Sequence, residues 1–106
     1  MGMAAYVTAL GHYHPVLGSY LGIGDDDKVI TGTLVMVDSD HCVTSESSRY
    51  LASALGITDP WDFNQHFFDY EKIDFDVVGA VMGIEGVEWI RVLGRAGFRF
   101  CYRPNG

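Results

Sequence analysis

The sequence predicts a small single domain of the α+β class over residues 1–106, with a short, mostly antiparallel sheet of two to three strands packed against three to four helices. A length of 106 residues suits one core rather than two. A hydrophobic fraction of 48% supplies enough apolar surface to offset the entropy that the chain loses on folding. Segments that alternate in the manner of strands are interleaved with segments of helical spacing.

The N-terminal segment leaves two interpretations open. Residues 4–13 fit a strand or a short helix, because polar and apolar residues alternate while the alanines favour helix. Pro15 suits a first helical turn, and we expect the short helix that it opens to end at Gly22 or Gly24.

The next segments predict a turn and the sheet. Three adjacent aspartates at 25–27 repel one another and indicate a solvated turn. Residues 28–37 are nearly all apolar or β-branched, so we expect a central strand with both faces buried. Its best partner is 98–103, where aromatic residues alternate with arginine or cysteine, and residues 4–13 are a candidate third strand.

Three helices are expected between these strands. The first begins near Thr44 and ends at Gly56. The second begins with Asp59 as its cap before a proline and runs to about Tyr70. The third begins near Asp74 and contains several glycines, so we expect a break near residue 83.

The charge balance limits the classes of partner. Seven lysines and arginines against 14 acidic residues give a net charge of −7, which argues against sequence-independent binding of duplex DNA. The chain has no basic and apolar leader, and no apolar run approaches the ~18 residues of a membrane span. We therefore expect a cytoplasmic protein without a membrane partner.

Histidines and one cysteine offer ligands for a metal. His12 and His14 would share a face of a strand, and His41 adjoins Cys42. The alternative is that His14 precedes a helix and His41 lies in a polar turn, without a metal. The spacing of a four-ligand zinc site is absent, so a metal-binding or small-ligand-binding domain is kept only as an alternative function.

Catalytic motifs are missing from the sequence. The serines near residue 45 lack the glycine-flanked elbow of a hydrolase nucleophile. The pair Gly22 and Gly24 is not followed by the lysine of a phosphate-binding loop. We therefore predict a protein that is not an enzyme and that needs no cofactor.

The second predicted helix combines acidic residues with more aromatic rings than one buried face accommodates. We therefore expect some of these rings to stay partly exposed beside the acidic residues. The candidates are Trp61, Phe67, Phe68 and Tyr70. Such a surface suits a basic protein partner, whereas the simpler alternative is a solvated acidic face over an aromatic core. The predicted partner-binding residues are Asp59, Trp61, Asp62, His66, Asp69 and Glu71.

The C-terminal segment is the basic part of the chain, with four cations and no acid from residue 91 onward. Arginines that alternate with aromatic residues on a strand suit single-stranded nucleic acid, which is the second function that we consider. The simpler alternative is that the aromatic side chains enter the core and the arginines face outward. The residues of this alternative site are Arg95, Arg99, Tyr102 and Arg103.

The chain as a whole resembles the anti-CRISPR proteins of phages and mobile elements in its length, its acidic charge and its lack of catalytic motifs. The resemblance carries over no individual residues. It implies a stoichiometric inhibitor of a CRISPR effector, which occupies a basic nucleic-acid channel of that complex or engages the nucleic acid itself.

Overall fold

A computed structural model of the chain describes residues 4–39, 45–59, 64 and 66–105. The strands form one antiparallel sheet: β1 (Ala4–His12), β2 (Leu34–Asp38), β3 (His66–Phe68) and β4 (Arg99–Asn105). Three α-helices lie within the described residues: α1 (Gly18–Leu21), α2 (Ser45–Ala54) and α3 (Phe75–Arg95). The α+β class is confirmed, but the sheet has four strands where two to three were predicted.

The strand order β2-β1-β4-β3 corrects the predicted centre of the sheet. The N-terminal segment forms the central strand β1, which pairs with both β2 and β4. Only Leu34–Asp38 of the predicted strand 28–37 is paired, and it forms an edge. A turn interrupts the rest, since Thr33 N donates to Ile30 O at 3.0 Å and Gly32 has a φ of 92°. The predicted pairing of 28–37 with 98–103 is therefore wrong.

One face of the sheet carries the core. Residues directly opposite each other on antiparallel strands share a face, so Val7 lies beside Tyr102 and Ala9 beside Phe100. All four side chains are buried. The ring of Phe100 lies at the centre of this core, with its centroid 5.9 Å from that of Trp89 in α3.

The other face is only partly exposed: Thr8 and Cys101, which lie opposite each other on it, are buried, whereas its edges carry exposed side chains. On β2 it carries Leu34 and Met36, whose side chains are 59% and 65% exposed. On β4 it carries Arg99, which is exposed, and on β3 it carries Phe67. We call this surface, defined by Leu34, Met36, Phe67, Arg99 and Arg103, the open sheet face.

The predicted N-terminal helix is confirmed as a 3₁₀ turn, Pro15–Leu17, that leads directly into α1. Gly22 ends α1 with a left-handed φ of 68°, which a residue without a Cβ adopts at little cost. The aspartates at 25–27 lie in the exposed turn expected of them, where Asp27 accepts a hydrogen bond from Gly24 N at 2.8 Å.

Helix α2 matches the first predicted helix, apart from its start at Thr44, which lies outside the described residues. Leu51 and Leu55 are buried against the core, whereas Tyr50 is 64% exposed. Gly56 adopts a φ of 79° after the helix, which agrees with its predicted role as the stop.

The second predicted helix is wrong over its described part. His66–Phe68 forms β3, and Tyr70–Lys72 forms a 3₁₀ turn. Residues 60–63 and 65 lie outside the described residues. Pairing with β4 explains the difference, because it places Phe68 opposite Phe100 with stacked rings 5.8 Å apart, a contact that local spacing cannot reveal.

Helix α3 begins near Asp74, as predicted, and Asp74 caps it, because its Oδ1 accepts hydrogen bonds from Asp76 N and Val77 N. The predicted break is confirmed at Gly83, which has a non-helical φ of 81° and ψ of 172°. The guanidinium of Arg91 lies 4.3 Å from the ring centroid of Phe75. Because these residues would be about 24 Å apart along a straight helix, the two halves of α3 fold against each other.

Candidate functional site

Two exposed acidic residues flank one aromatic ring in the turn after β3. Asp69 caps this turn, because its Oδ1 accepts a hydrogen bond from Glu71 N at 3.0 Å, and both side chains are exposed. Tyr70 between them is half-buried, with its ring centroid 6.2 Å from that of Phe100. We call Asp69, Tyr70 and Glu71 the acidic patch.

Close packing against α3 holds the Tyr70 ring in place. A Cβ built at Gly94 would lie 2.6 Å from the ring carbons of Tyr70, so the ring lies directly on the helix backbone. The Tyr70 ring can therefore occupy this position only because residue 94 has no side chain. The acidic patch presents an aromatic anchor whose orientation is fixed before any partner arrives.

The electrostatic surroundings of Tyr70 are acidic overall. Burial is the main cause that raises the pKa of the Tyr70 phenol, and the Glu71 and Asp69 carboxylates raise that pKa further. The Arg95 guanidinium opposes them and lowers the pKa, but the net shift is upward. The two carboxylates would attract a cationic group brought to this ring, against the opposing charges of Arg95 and the exposed Lys72.

The other predicted partner-binding residues lie apart from this turn or outside the described residues. Asp59 is exposed, and its charge adds to burial in raising the pKa of Tyr102. His66 is half-buried in β3, directly opposite Tyr102. Trp61 and Asp62 lie outside the described residues. From His66 to Lys72, the helical spacing expected to align the acidic side chains is replaced by a strand and a turn.

The neighbouring rings differ from Tyr70 in their surroundings. Phe67 is 43% exposed, but it points to the open sheet face, where the Arg99 guanidinium lies 4.5 Å from its ring centroid. Phe68 is half-buried on the opposite face of the sheet, against Phe100. Of these two rings, the exposed one therefore has a cationic partner and not an acidic rim.

The four residues of the predicted nucleic-acid site do not form one surface. Arg99 and Arg103 share the open sheet face, as the alternation predicts. Tyr102 lies on the opposite face with 0% of its surface exposed, so its predicted role in stacking bases is not available to it. Arg95 lies at the end of α3, close enough to Tyr70 to affect the pKa of its phenol.

The candidate metal ligands that the structure describes each lie within hydrogen-bonding distance of a backbone group. His12 Nδ1 lies 3.0 Å from the carbonyl oxygen of Gly32, and His14 Nδ1 accepts a hydrogen bond from Val16 N at 3.2 Å. His41 and Cys42 lie outside the described residues. Among the residues with described positions, no three His, Cys, Asp or Glu side chains form a group able to hold a metal ion.

Sequence reasoning missed a cavity between α1 and α3. Its volume is 280 Å³, and two carboxylates and two aromatic rings are among the groups that line it. The signal was a pair of glutamates three residues apart beside a tryptophan in the middle of a mostly apolar helical segment. The residues that line the cavity are Ser19, Tyr20, Ser39, Met82, Glu85, Gly86, Glu88 and Trp89.

Comparison of the chain with family models, with curated proteins and with solved structures found no match. Over the described part of the chain, every helix is too short or too polar to cross a bilayer.

Proposed function

We propose that this chain is a non-enzymatic binding protein that docks on a basic protein partner through the acidic patch. The observation that carries the proposal is the half-buried Tyr70 ring, which packs against Gly94 and has an exposed carboxylate on each side of it in the sequence. Trp61 and Asp62, a few residues upstream, and the exposed Asp59 are candidates to extend the surface.

The arrangement matches what protein interfaces require of an anchor and its rim. Tyrosine is among the residues that contribute most to interface affinity, because its ring buries a large area at a low entropic cost. Asp69 and Glu71 beside it would steer an arginine-rich or lysine-rich surface toward the ring and set its orientation. The net charge of −7 extends this attraction over the whole molecule.

The class of partner that fits best is a protein that handles nucleic acid. A channel that holds DNA or RNA is lined with lysine and arginine, so an acidic protein competes for it with the nucleic acid. The resemblance in length and charge to anti-CRISPR proteins supports a CRISPR effector subunit as one such partner. In this proposal the protein acts as a stoichiometric inhibitor.

The test is a charge reversal with a matched control. The double variant Asp69→Lys, Glu71→Lys changes the acidic patch, and Asp25→Lys, Asp26→Lys makes the same change of net charge in an exposed turn. Binding to a panel of purified, guide-loaded CRISPR effector complexes is measured by biolayer interferometry. For a complex that binds the unmodified chain, we expect the first variant to lose about 100-fold in affinity and the second less than about threefold.

Two results would overturn this proposal. The first is equal losses in both variants, because the attraction would then depend on net charge and not on the acidic patch. The second is unchanged affinity of the Asp69→Lys, Glu71→Lys variant. Circular dichroism and a thermal melt of each variant show that the fold is retained.

A second candidate function is contact with single-stranded nucleic acid through the open sheet face. The observation in its favour is the exposed Phe67 ring with the Arg99 guanidinium 4.5 Å from its centroid, on the same face as Arg103. A ring and cations on an open sheet suit stacked bases and their phosphates. Fluorescence anisotropy with a labelled single-stranded oligonucleotide should show affinity that falls as salt rises and is lost in Arg99→Glu, Arg103→Glu.

A further inference from the structure

The cavity between α1 and α3 has a rigid aromatic wall. Trp89 Nε1 donates a hydrogen bond to the carbonyl oxygen of Tyr20 at 2.9 Å, which ties the indole to α1. The Trp89 indole also contacts the ring of Phe100, and the two ring centroids lie 5.9 Å apart in an edge-on arrangement. Both contacts are made by groups of the chain itself, so the fold holds the indole in place.

The polar part of the wall is anionic. Glu85 and Glu88 lie three positions apart on α3, and both line the cavity together with Tyr20. The Tyr20 hydroxyl donates to Glu88 Oε1 at 3.0 Å, which orients that carboxylate. The described lining contains no lysine or arginine. A carboxylate offers about four acceptor positions, so the hydrogen bond from one phenol leaves Glu88 able to accept others.

The titration of Tyr20 is consistent with this geometry. Its hydrogen bond to Glu88 is the main cause that raises the pKa of the phenol, with burial and the Glu88 charge adding to it. Tyr20 therefore remains a neutral donor through the physiological range. Its ring and that of Trp89 supply π surfaces in a site with negative charge.

We propose that this cavity binds an organic cation, namely an ammonium or guanidinium group carried on a short apolar stem. The carboxylates of Glu85 and Glu88 would accept its N–H groups, and the Trp89 ring would contact the charge or the stem. Met82 and Gly86 form the apolar part of the lining against which methylene groups pack. This site lies outside the acidic patch and shares no lining residue with it.

The size of the cavity limits the ligand. A volume of 280 Å³ is just below the range of about 300–1,000 Å³ that drug-sized ligands occupy. A small amine fits this space, and so does the end of one lysine or arginine side chain from another protein. The recognised chemistry is the same in both cases, and the experiment separates the two sources.

The test is a titration followed by the Trp89 indole N–H resonance in NMR spectra. The probes are n-butylammonium and methylguanidinium, and their neutral counterparts are n-butanol and N-methylurea. We expect saturable shifts with millimolar or tighter affinity for the cations and at least about tenfold weaker binding of the neutral molecules. Equal binding of charged and neutral probes, or no saturable shift with either cation, would overturn the proposal.

Blocked tripeptides with a central lysine or arginine between glycines identify the source. If they bind as well as the free cations, the ligand is a side chain of a protein. If only the free cations bind, the ligand is a small amine. Both results agree with a cation site.

Variants assign the binding to the carboxylates. Glu85→Gln and Glu88→Gln each keep the side-chain size, and we expect each to weaken n-butylammonium binding about fivefold or more. The matched control is Glu46→Gln, an exposed glutamate on α2, which should bind as the unmodified chain does. Unchanged affinity in both cavity variants would overturn the assignment. Because the assay needs no protein partner, its outcome is independent of the docking assay for the acidic patch.

Discussion

Phe67 and Tyr70 are three residues apart, yet their rings lie in opposite electrostatic surroundings. Phe67 points to the open sheet face, where the Arg99 guanidinium covers part of its ring. Tyr70 lies in the turn after β3, where Glu71 and Asp69 outweigh Arg95. Two surfaces of opposite sign thus meet along one short strand, and each suits a different partner.

The comparison shows how pairing redistributes charge that is segregated along the chain. The acidic middle of the sequence and its basic end come together because β3 and β4 pair in antiparallel register. The alternation of β3 then sends Phe67 to the face that carries the arginine. The sign of the potential at a ring is therefore decided by sheet register and not by its neighbours in the chain.

The largest expected effect is the loss of stability when a ring is removed from the core, compared with the loss when a ring is removed from the open sheet face. Phe100 contacts Phe68, Tyr70 and Trp89, and its side chain is 1% exposed. We expect Phe100→Ala to lower the free energy of unfolding by about 3–5 kcal/mol. Phe67→Ala removes a part-exposed ring and one contact with Arg99, so its cost should be about 1 kcal/mol.

Urea unfolding followed by far-ultraviolet circular dichroism measures both values. Similar costs for Phe100→Ala and Phe67→Ala would show that the open sheet face is packed as tightly as the covered one. That result would contradict the distinction between the two rings.

Local patterns were sufficient for several elements of the fold. The N-terminal turn beginning at Pro15, the cap at Asp74 and the break at Gly83 each follow from the chemistry of one residue. The strand at 98–103 follows from alternation, which also favours burial of Tyr102 over a stacking role.

Contacts distant in sequence decided the rest. The order of the sheet depends on β1 pairing with two partners, whereas local composition favoured 28–37 as the centre. The strand β3 has three residues, too few for a periodicity to be visible. The cavity joins Tyr20 to Glu88 across 68 positions of the chain, so the spacing of the glutamates in α3 could mark one wall of it but not the cavity itself.

A smaller effect is expected where Tyr70 contacts α3. Gly94→Ala places a methyl group 2.6 Å from the ring, so the ring must move and the free energy of unfolding should fall by about 1–3 kcal/mol. The control is Gly79→Ala in the same helix, where the added Cβ meets Val87 at an ordinary 3.4 Å. That variant should stabilise the protein by up to about 1 kcal/mol.

Thermal melts of both glycine variants compare their stabilities, and the docking assay on the same samples compares their affinities for the partner. Loss of partner affinity in Gly94→Ala alone would link the position of the Tyr70 ring to binding. A Gly94→Ala variant as stable as the unmodified chain would contradict the close packing of the ring.

The smallest effect is expected from alkaline titration. The pKa values of Tyr20, Tyr70 and Tyr102 are raised above 10.0 in the folded protein. A raised pKa favours the neutral phenol in the fold, so its stabilising contribution is complete below pH 10.0 and decreases as pH rises through the folded-state values. Urea unfolding at about pH 9 and about pH 11 should therefore show lower stability at the higher value.

Tyr70→Phe measures the contribution of the Tyr70 phenol, in the acidic patch, to this pH dependence. It keeps the ring against Gly94 but removes one of the perturbed phenols, so its stability should fall less between the two pH values. An equal fall in Tyr70→Phe and the unmodified chain would show that neither burial nor the neighbouring carboxylates raise the pKa of the Tyr70 phenol in the folded protein.

The most direct test of the docking proposal is a map of backbone amide shifts when a basic peptide is added to the isotope-labelled protein. A nonamer of arginine is a suitable probe, because it carries the charge of a basic surface without a fold of its own. We predict that the shifts concentrate at Asp69, Tyr70 and Glu71 and decrease as salt is added. Shifts spread evenly over the acidic residues, or concentrated on the open sheet face at Phe67 and Arg99, would contradict the proposal.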